Sequence, residues 1–518
     1  MIDRSRNLLR SGWDNFRAEL RGLFFFILIL IISLLFISCQ SISNGGESII
    51  NPPPANSEIQ QLEETELPLP TPFATRPSYA PGELVTYVVQ VGDTLDTLAI
   101  RFNTTVGEIL EANTFIPEGT TTLPPGMPME IPIYYEPFWG SPYQIIPDSV
   151  FINGPSQLGF ETQAFVDTKP GWLSGYKDYV AGENRTGAQI VDYVATNFSI
   201  SPQLLLALLE FQAGALSQAT LPSSVEADYL LGYEDILYKS MYLQLVWAAD
   251  MLNNGYYSFR DGRLETIYFP DGTIENIDPW QNAATTALQY YFSGNFSKEV
   301  YLYATGSEGF SKVFREMFGD PWDNPQPHLP GSLVQPLMHL PFEAGKTWAY
   351  TGGPHTGWGT GEPWAAIDFA PPSTASGCIL SNEWATAVAD GVVARTDEGI
   401  LELDLDGDGD TRTGWVVFYL HIAARDRASV GTRLQARQPL GHPSCEGGTS
   451  TGTHIHIARK YNGEWIPADG ILPFDLDGWI PRNGENPYSG LLTRFSETVI
   501  ANTNANQASY VTAEEFEY

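Results

Sequence analysis

The spacing of apolar positions changes along the chain and divides it into blocks. Residues 23–37 form an apolar run interrupted by Ser33, preceded by Arg4, Arg6, Arg10, Arg17 and Arg21. A basic flank before so short an apolar stretch is the pattern of a signal core or membrane anchor, here over residues 1–39. Residues 40–82 show no hydrophobic period and are rich in Pro, Ser, Glu and Thr, which predicts an extended linker. Residues 83–134 combine two periods in one small module. Tyr87, Val89 and Val91 alternate as in a strand, and Leu95, Leu98, Ala99 and Phe102 follow helical spacing behind Asp93 or Thr94 as the cap. Thr105 opens a second helix with Val106, Ile109 and Leu110, and residues 129–133 read as a closing strand.

Residues 141–325 carry the helical period. Ile190, Val191 and Val194, then Leu204, Leu205, Leu208 and Leu209, mark two helices, the second capped by Ser201 with Pro202 at its first position. Residues 239–253, 281–292 and 310–318 read as further helices. From 335 to 470 this period gives way to short alternating strands and glycine turns. Trp415, Val417, Tyr419 and His421 are expected on one face of a strand, and His454 and His456 together on one face of another. Residues 471–500 read as a strand-rich appendage, and 501–518 as a polar, disordered tail. The predicted fold class is multidomain α+β: a small β-α-α-β module, a mostly α-helical middle domain and an antiparallel all-β domain.

Composition narrows the function. The 518 residues carry a net charge of −34, which argues against nucleic acid as a partner, since its phosphates call for Lys and Arg. Five of the seven histidines fall between His355 and His456. His355, Asp368 and one of the pair His454/His456 make an N,O,N set of the kind that holds a catalytic zinc with one position open. His421 ends its strand and offers a further imidazole. His442 reads as structural, and His328 and His339 lie in Pro-rich connecting chain. No HExxH motif is present, so a helix-borne Glu base is not on offer.

Several stretches resemble known families. YVVQVGDTLDTLAIRFNTTVGEILEAN and PGMPMEIP resemble a LysM domain. The resemblance implies binding of N-acetylglucosamine-containing glycans between two loops, which here hold Gly92, Asp93 and Thr94, and Asn113 to Ile116. ISPQLLLALLEFQAG is similar to the first helix pair of lysozyme-like transglycosylases. The place of their catalytic Glu is held by Gln212, and Glu210 lies about 200° around the helix from it. A carboxyl proton donor is therefore missing, and a non-catalytic helical domain is expected.

GGPHTGWGTGEPWAAIDF, WATAVADGVVAR, VVFYLH and GTSTGTHIHIA, in that order, resemble zinc metallopeptidases of the lysostaphin, LytM and beta-lytic type. The long His355-to-Asp368 spacing looks like the beta-lytic branch. The resemblance implies zinc on His355, Asp368 and His456, with His421 and His454 as catalytic histidines. His454 is the expected base and His421 the expected N–H donor to the oxyanion. The ending Ser38-Cys39 resembles a lipobox, implying lipidation of Cys39, with an uncleaved anchor as the alternative. That leaves Cys378 and Cys445, which an extracytoplasmic compartment would pair as a disulfide, with free thiols as the alternative.

Asp404, Asp406, Asp408 and Asp410 lie in DLDGDGDTRTGW, at or beside calcium-loop positions, but Trp415 stands where the bidentate Glu belongs. An acidic hairpin turn and a weak calcium site both stay open, the turn being favoured. The expected function is a surface-anchored zinc endopeptidase cutting peptide cross-links of peptidoglycan, with the wall and, through the N-terminal anchor, the membrane as partners. Two alternatives are a non-catalytic wall-binding activator of another hydrolase and a bifunctional enzyme whose middle domain cuts glycan.

Overall fold

A computed structural model of the chain describes residues 76–134 and 140–514. The apolar N-terminal run, Cys39 and most of the linker lie outside the described residues, and so do the anchor and lipidation expectations. Among the described residues no helix is long and apolar enough to cross a membrane.

The small module is β1 (Glu83–Val88), α1 (Leu95–Arg101), α2 (Val106–Ala112) and β2 (Pro128–Ile133), with the two strands antiparallel. Thr94 and Thr105 each close a capping box, so short helices that would be marginal alone are held at their first turn. Val85, Tyr87, Leu98, Phe102, Ile109 and Ile131 form the module's core. The end of the expected linker is docked and not free. Arg76 pairs with Asp278, and its guanidinium lies 3.8 Å from the centre of the Trp280 ring.

In the helical region α3 (Gly187–Phe198) and α4 (Pro202–Ala213) follow the predicted leucine spacing. Each ends on a left-handed residue, Ser199 and Gly214. The long helix α5 (Met241–Arg260) and α6 (Ala283–Asn295) pack beside them, with α7 (Phe310–Phe318) against α4.

The third region is one mainly antiparallel sheet. Its strands are β3 (Thr347–His355), β4 (Ala366–Ala370), β5 (Gly391–Asp397), β6 (Ile400–Asp404), β7 (Trp415–Leu420), β8 (Ile455–Tyr461) and β9 (Tyr510–Thr512). From Arg433–Leu434 at one edge the order is β5, β6, β7, β8, β4, β3, β9. One face buries Tyr350, Ile367, Phe369, Val417, Tyr419, Ile455 and Ile457 in the region's own core. The other face does not meet solvent throughout: Phe418, Leu420, Ala458 and Trp465 join the core of the helical region. Burial on both faces is why WVVFYL reads as a continuous apolar run, with every residue of β7 buried.

Two expectations are corrected here. The tail is not disordered as far as residue 514, because Tyr510–Thr512 pairs with β3 and gives the sheet its edge. His421 does not share a face with Val417 and Tyr419. Strand β7 ends at Leu420, and a left-handed backbone at His421 (φ 64) breaks the alternation and turns the imidazole to the opposite side.

A buried charge cluster joins the regions. Arg260 Nη2 lies 3.2 Å from Asp148 and 3.3 Å from Glu464 Oε2. The Tyr256 hydroxyl donates to Glu464 (2.8 Å), and His328 Nε2 lies 2.5 Å from the same oxygen. His328, read from sequence as plain connecting chain, is thus a structural element of the junction.

Candidate metal centre

Three strands bring the site together. On β8, Ile455 and Ile457 point into the sheet's core, which leaves His454 and His456 on the other side. On β4, Ile367 and Phe369 point inward and Asp368 faces the same side as His456, its direct cross-strand partner. His355 reaches this face through an irregularity: between Gly352, opposite Asp368, and His355, opposite Ala366, β3 carries one residue more than β4. A second register shift, between Tyr350 and Gly352, precedes it, and the two extra residues together keep His355 on the face opposite the core residue Tyr350. Gly352 is also required for space, since a Cβ there would sit 2.4 Å from Asp368 Oδ2.

Each histidine has one ring nitrogen on a backbone carbonyl: His355 Nδ1 on Gly353 (2.8 Å), His456 Nε2 on Gly357 (3.0 Å), His454 Nδ1 on Gly452 (2.7 Å) and His421 Nδ1 on Glu446 (3.0 Å). A carbonyl only accepts, so these nitrogens carry the proton and the opposite nitrogen of each neutral ring holds a lone pair. His355 Nε2 and His456 Nδ1 then face each other at 3.0 Å with no proton to share, and Asp368 Oδ1 stands 3.3 and 3.4 Å from them. That carboxylate oxygen is buried and has no hydrogen-bond partner. Three electron-pair donors lie within 4.8 Å of one another, a geometry that a divalent cation satisfies and that costs free energy without one. The residues present therefore fit a zinc ion.

Electrostatics agree with this assignment. Burial alone would raise the Asp368 carboxyl, but positive charge at His355 and His454, standing in for a cation, overcomes it and holds the group well below the usual carboxylate range, so it is ionised. Burial lowers His456 and keeps it a neutral ligand. His421 is pushed down to about 4 by burial, with His454 and His456 adding to the effect. At neutral pH it is uncharged, with its proton on the nitrogen bound to Glu446. With Nδ1 on the Glu446 carbonyl, the Nε2 of neutral His421 is left as an acceptor, and the expected N–H donation to an oxyanion requires that nitrogen to be protonated. His454 Nε2 lies 3.8 Å from Asp368 Oδ2, and the His421 and His454 rings are 4.5 Å apart.

Sequence reasoning missed several residues here. Tyr488 stacks on His355 with ring centres 4.0 Å apart, and burial and the charge of Asp368 raise its hydroxyl, which stays protonated. It comes from a polar turn, NPYSG, with no periodic signal. The cleft, about 600 Å³, also takes Phe198, Tyr242 and Val246 of the helical region into its wall. Asp250 of α5 accepts the Thr360 amide at 2.7 Å and ties the loop after His355 to that helix.

The other candidate positions fall into different roles. Cys378 and Cys445 form a disulfide, and the loops they join meet again where Thr453 Oγ1 bonds both the amide and the carbonyl of Ile379. The Gly92–Ile116 loops do not offer the expected glycan contacts through their side chains. Asp93 is buried on Tyr87, Gln90 and Arg101, Thr94 caps α1, Asn113 is bonded to Ile109 and Glu130, and Ile116 is in the core. Gly92 packs under the Arg260 guanidinium. Asp404, Asp406 and Asp408 bring oxygens within 4.8 Å of one another; they accept amides of the same turn, and Asp410 is taken by Arg412. Glu210 accepts the Leu216 and Ser217 amides past the end of α4, and Gln212 is held by Tyr291 and Leu231. Both side chains serve the helical fold.

Comparison with known proteins places these regions. Residues 87–132 match the family described as LysM domain, and residues 144–331 match the family described as LasA, N-terminal domain. The latter replaces the lysozyme-like expectation for the helical region. The chain is similar to Protease LasA of Pseudomonas aeruginosa (strain UCBPP-PA14), 22% identical over 341 residues covering 62% of this chain and 75% of that protein. It is also similar to the Beta-lytic metalloendopeptidase of Lysobacter enzymogenes, 29% identical over 142 residues, 26% of this chain and 74% of that protein. Among solved structures, the M23 metalloprotease pseudoalterin matches 32% of this chain and 96% of its own, at 23% identity and a TM-score of 0.28.

Proposed function

We propose that this LysM-bearing metalloendopeptidase hydrolyses peptide cross-links of peptidoglycan on the outer side of the membrane, with zinc on His355, Asp368 and His456. The single observation that carries the metal assignment is the buried Asp368 oxygen facing two imidazole lone pairs without a hydrogen-bond partner. Zinc, when bound, supplies the Lewis acidity that acidifies water and polarises a carbonyl. The chain supplies the rest. His454, with Nε2 free and Nδ1 fixed on Gly452, is oriented to take the proton of the attacking water. His421 presents a second acceptor beside it and holds no charge at neutral pH. Tyr488 retains its hydroxyl proton and is a neutral donor at the same cleft. The relatedness to proteins named as a protease and a metalloendopeptidase supports peptide-bond hydrolysis, and the LysM match supports the wall as its target. The helical region, without a carboxyl acid at Gln212, reads as part of the cleft wall and not as a second, glycan-cutting centre.

The test is to load the purified protein with zinc, digest isolated peptidoglycan and identify the products by mass spectrometry. New peptide termini that vanish in Asp368→Ala and His456→Ala are expected. A zinc-loaded wild-type protein that releases nothing would return the chain to a wall-binding role, and new reducing sugar ends would reopen a glycan-cutting one.

A further inference from the structure

The chain between His355 and Asp368 is held from outside the sheet. Residues 356–365 leave β3 and return as β4, and the Gly357 amide donates to the Pro363 carbonyl at 3.2 Å, joining the two ends of the loop. The middle of the loop bonds to helix α5 of the helical region. Asp250 Oδ1 accepts the Thr360 amide at 2.7 Å, and Asn254 Oδ1 accepts the Glu362 amide at 2.8 Å. The Glu362 carboxylate also pairs with Arg263, just past the end of that helix. Tyr242, Val246, Asp250 and Asn254 are spaced by four and so form one row along α5. The first two line the metal cleft, and the last two hold the loop.

The loop is shaped for this contact. Gly359 and Gly361 both have left-handed backbones (φ 78 and 86), and a Cβ on them would sit 2.4 Å from Asp250 Oδ1 and 2.0 Å from Asn254 Oδ1. Asp250 is buried, which raises its carboxyl to about 6 against the pull of Thr360. At neutral pH it is therefore ionised, and its bond to the Thr360 amide is charge-assisted. The loop tip from Gly359 to Gly361 is exposed, so its order depends on these bonds more than on packing. On its other side the same loop serves the sheet. Gly357 O accepts His456 Nε2 at 3.0 Å, the bond that leaves Nδ1 facing Asp368 and His355. Trp358, next in the chain, enters the cleft wall and lies edge-on to Phe418. The second partner of a ligating imidazole fixes its tautomer and its orientation. Here that partner sits three residues from the tie to α5.

We propose that Asp250 is a positioning residue of the metal centre: by holding the Thr360 amide it fixes the 356–365 loop, so that Gly357 O keeps His456 in the tautomer that turns Nδ1 toward Asp368. The helical region is then part of the working site and not only a wall beside it. The consequence for the metal rests on the zinc assignment proposed above, whereas the tie between α5 and the loop does not.

The experiment measures hydrogen exchange of the 356–365 amides and the rate of zinc release to a chromophoric chelator. It compares the full-length wild type with Asp250→Ala, Asp250→Asn and Gly359→Ala. Asp250→Ala removes the acceptor and is expected to speed loop exchange and to release zinc about tenfold faster, the lower end of the effect of losing an outer partner of a metal ligand. Asp250→Asn keeps an oxygen for the Thr360 N–H and should restore most of both, which a general loss of stability would not allow. Gly359→Ala attacks the same contact from the loop and leaves α5 unchanged. It should behave as Asp250→Ala does, and it carries the test if Asp250→Ala fails to fold. Loop exchange equal to wild type in both disruptive variants overturns the tie to α5. Faster loop exchange with unchanged zinc release overturns the positioning of His456. Failure of the zinc assignment is distinct, because it shows as a wild type that retains no zinc, and exchange of the metal-free loop then still decides the tie.

Discussion

His454 and His456 are the same residue type two positions apart, yet their surroundings differ. His456 is buried against Asp368 and its metal-facing nitrogen is Nδ1, whereas His454 keeps Nε2 free at the edge of the cleft. Removing His454 should therefore cost turnover and not metal. His454→Ala is expected to lower the cleavage rate by roughly 10²–10⁴-fold, the usual share of a general base, with zinc content near wild type by elemental analysis. Zinc lost along with activity would reverse the assignment of the two histidines. Gly352 gives a complementary case, because it touches the metal set only through space. Gly352→Ala would push a methyl onto the Asp368 carboxylate, so zinc should dialyse out faster than from wild type although no ligand has changed. Retention equal to wild type would show that the carboxylate can move aside.

At the scale of elements, the site depends on departures from regular strand geometry. The left-handed residue after β7 turns His421 to the face of Asp368 and His456, and two register shifts in β3 set Gly352 opposite Asp368 and His355 opposite Ala366. Strand alternation was readable from the sequence, and it put His454 and His456 together on one face, opposite Ile455 and Ile457. Alternation alone put His421 on the wrong face, because a bulge or a left-handed residue depends on what the neighbouring strand and loop demand and leaves no periodic trace. The loops beyond the strands are tied by the Cys378–Cys445 bond, which spans 67 residues. Its loss should cost up to about 4 kcal/mol through loop entropy in the unfolded chain. Cys378→Ser is expected to lower the denaturant midpoint while zinc still binds, since no ligand lies on either loop tip. An unchanged midpoint would mean that the Thr453–Ile379 contacts hold the loops unaided.

The helical region, the connector and the sheet are joined by the buried cluster of Arg260, Asp148, Tyr256, His328 and Glu464, and this gives them an acid limit. Burial raises the Glu464 carboxyl, but Arg260 and His328 outweigh it and bring the group from its ordinary 4.5 down to about 2. A carboxyl held lower in the fold than in the unfolded chain contributes stability that is fully present above the unfolded value. That contribution is lost as pH falls through the folded one. Stability should therefore decline between pH 4.5 and about 2, and Glu464→Gln should flatten that slope while lowering stability at neutral pH. Thermal unfolding against pH, compared for the two proteins, measures it; parallel curves would place the acid sensitivity elsewhere.

The sequence by itself determined the order of modules and the capped helices, and it offered the His–Asp set and the cysteine pair as candidates, because these follow from local periods, cap residues and short motifs. Tertiary structure alone decided which histidine nitrogens face Asp368, that Tyr488 and the helical wall enter the cleft, and that Asp93, Thr94 and Asn113 have hydrogen bonds within the LysM module. It also closed the second face of the sheet with helices and drew His328 into a charged junction. Those outcomes depend on contacts between residues far apart in the chain, and packing and burial set them where no local pattern is required.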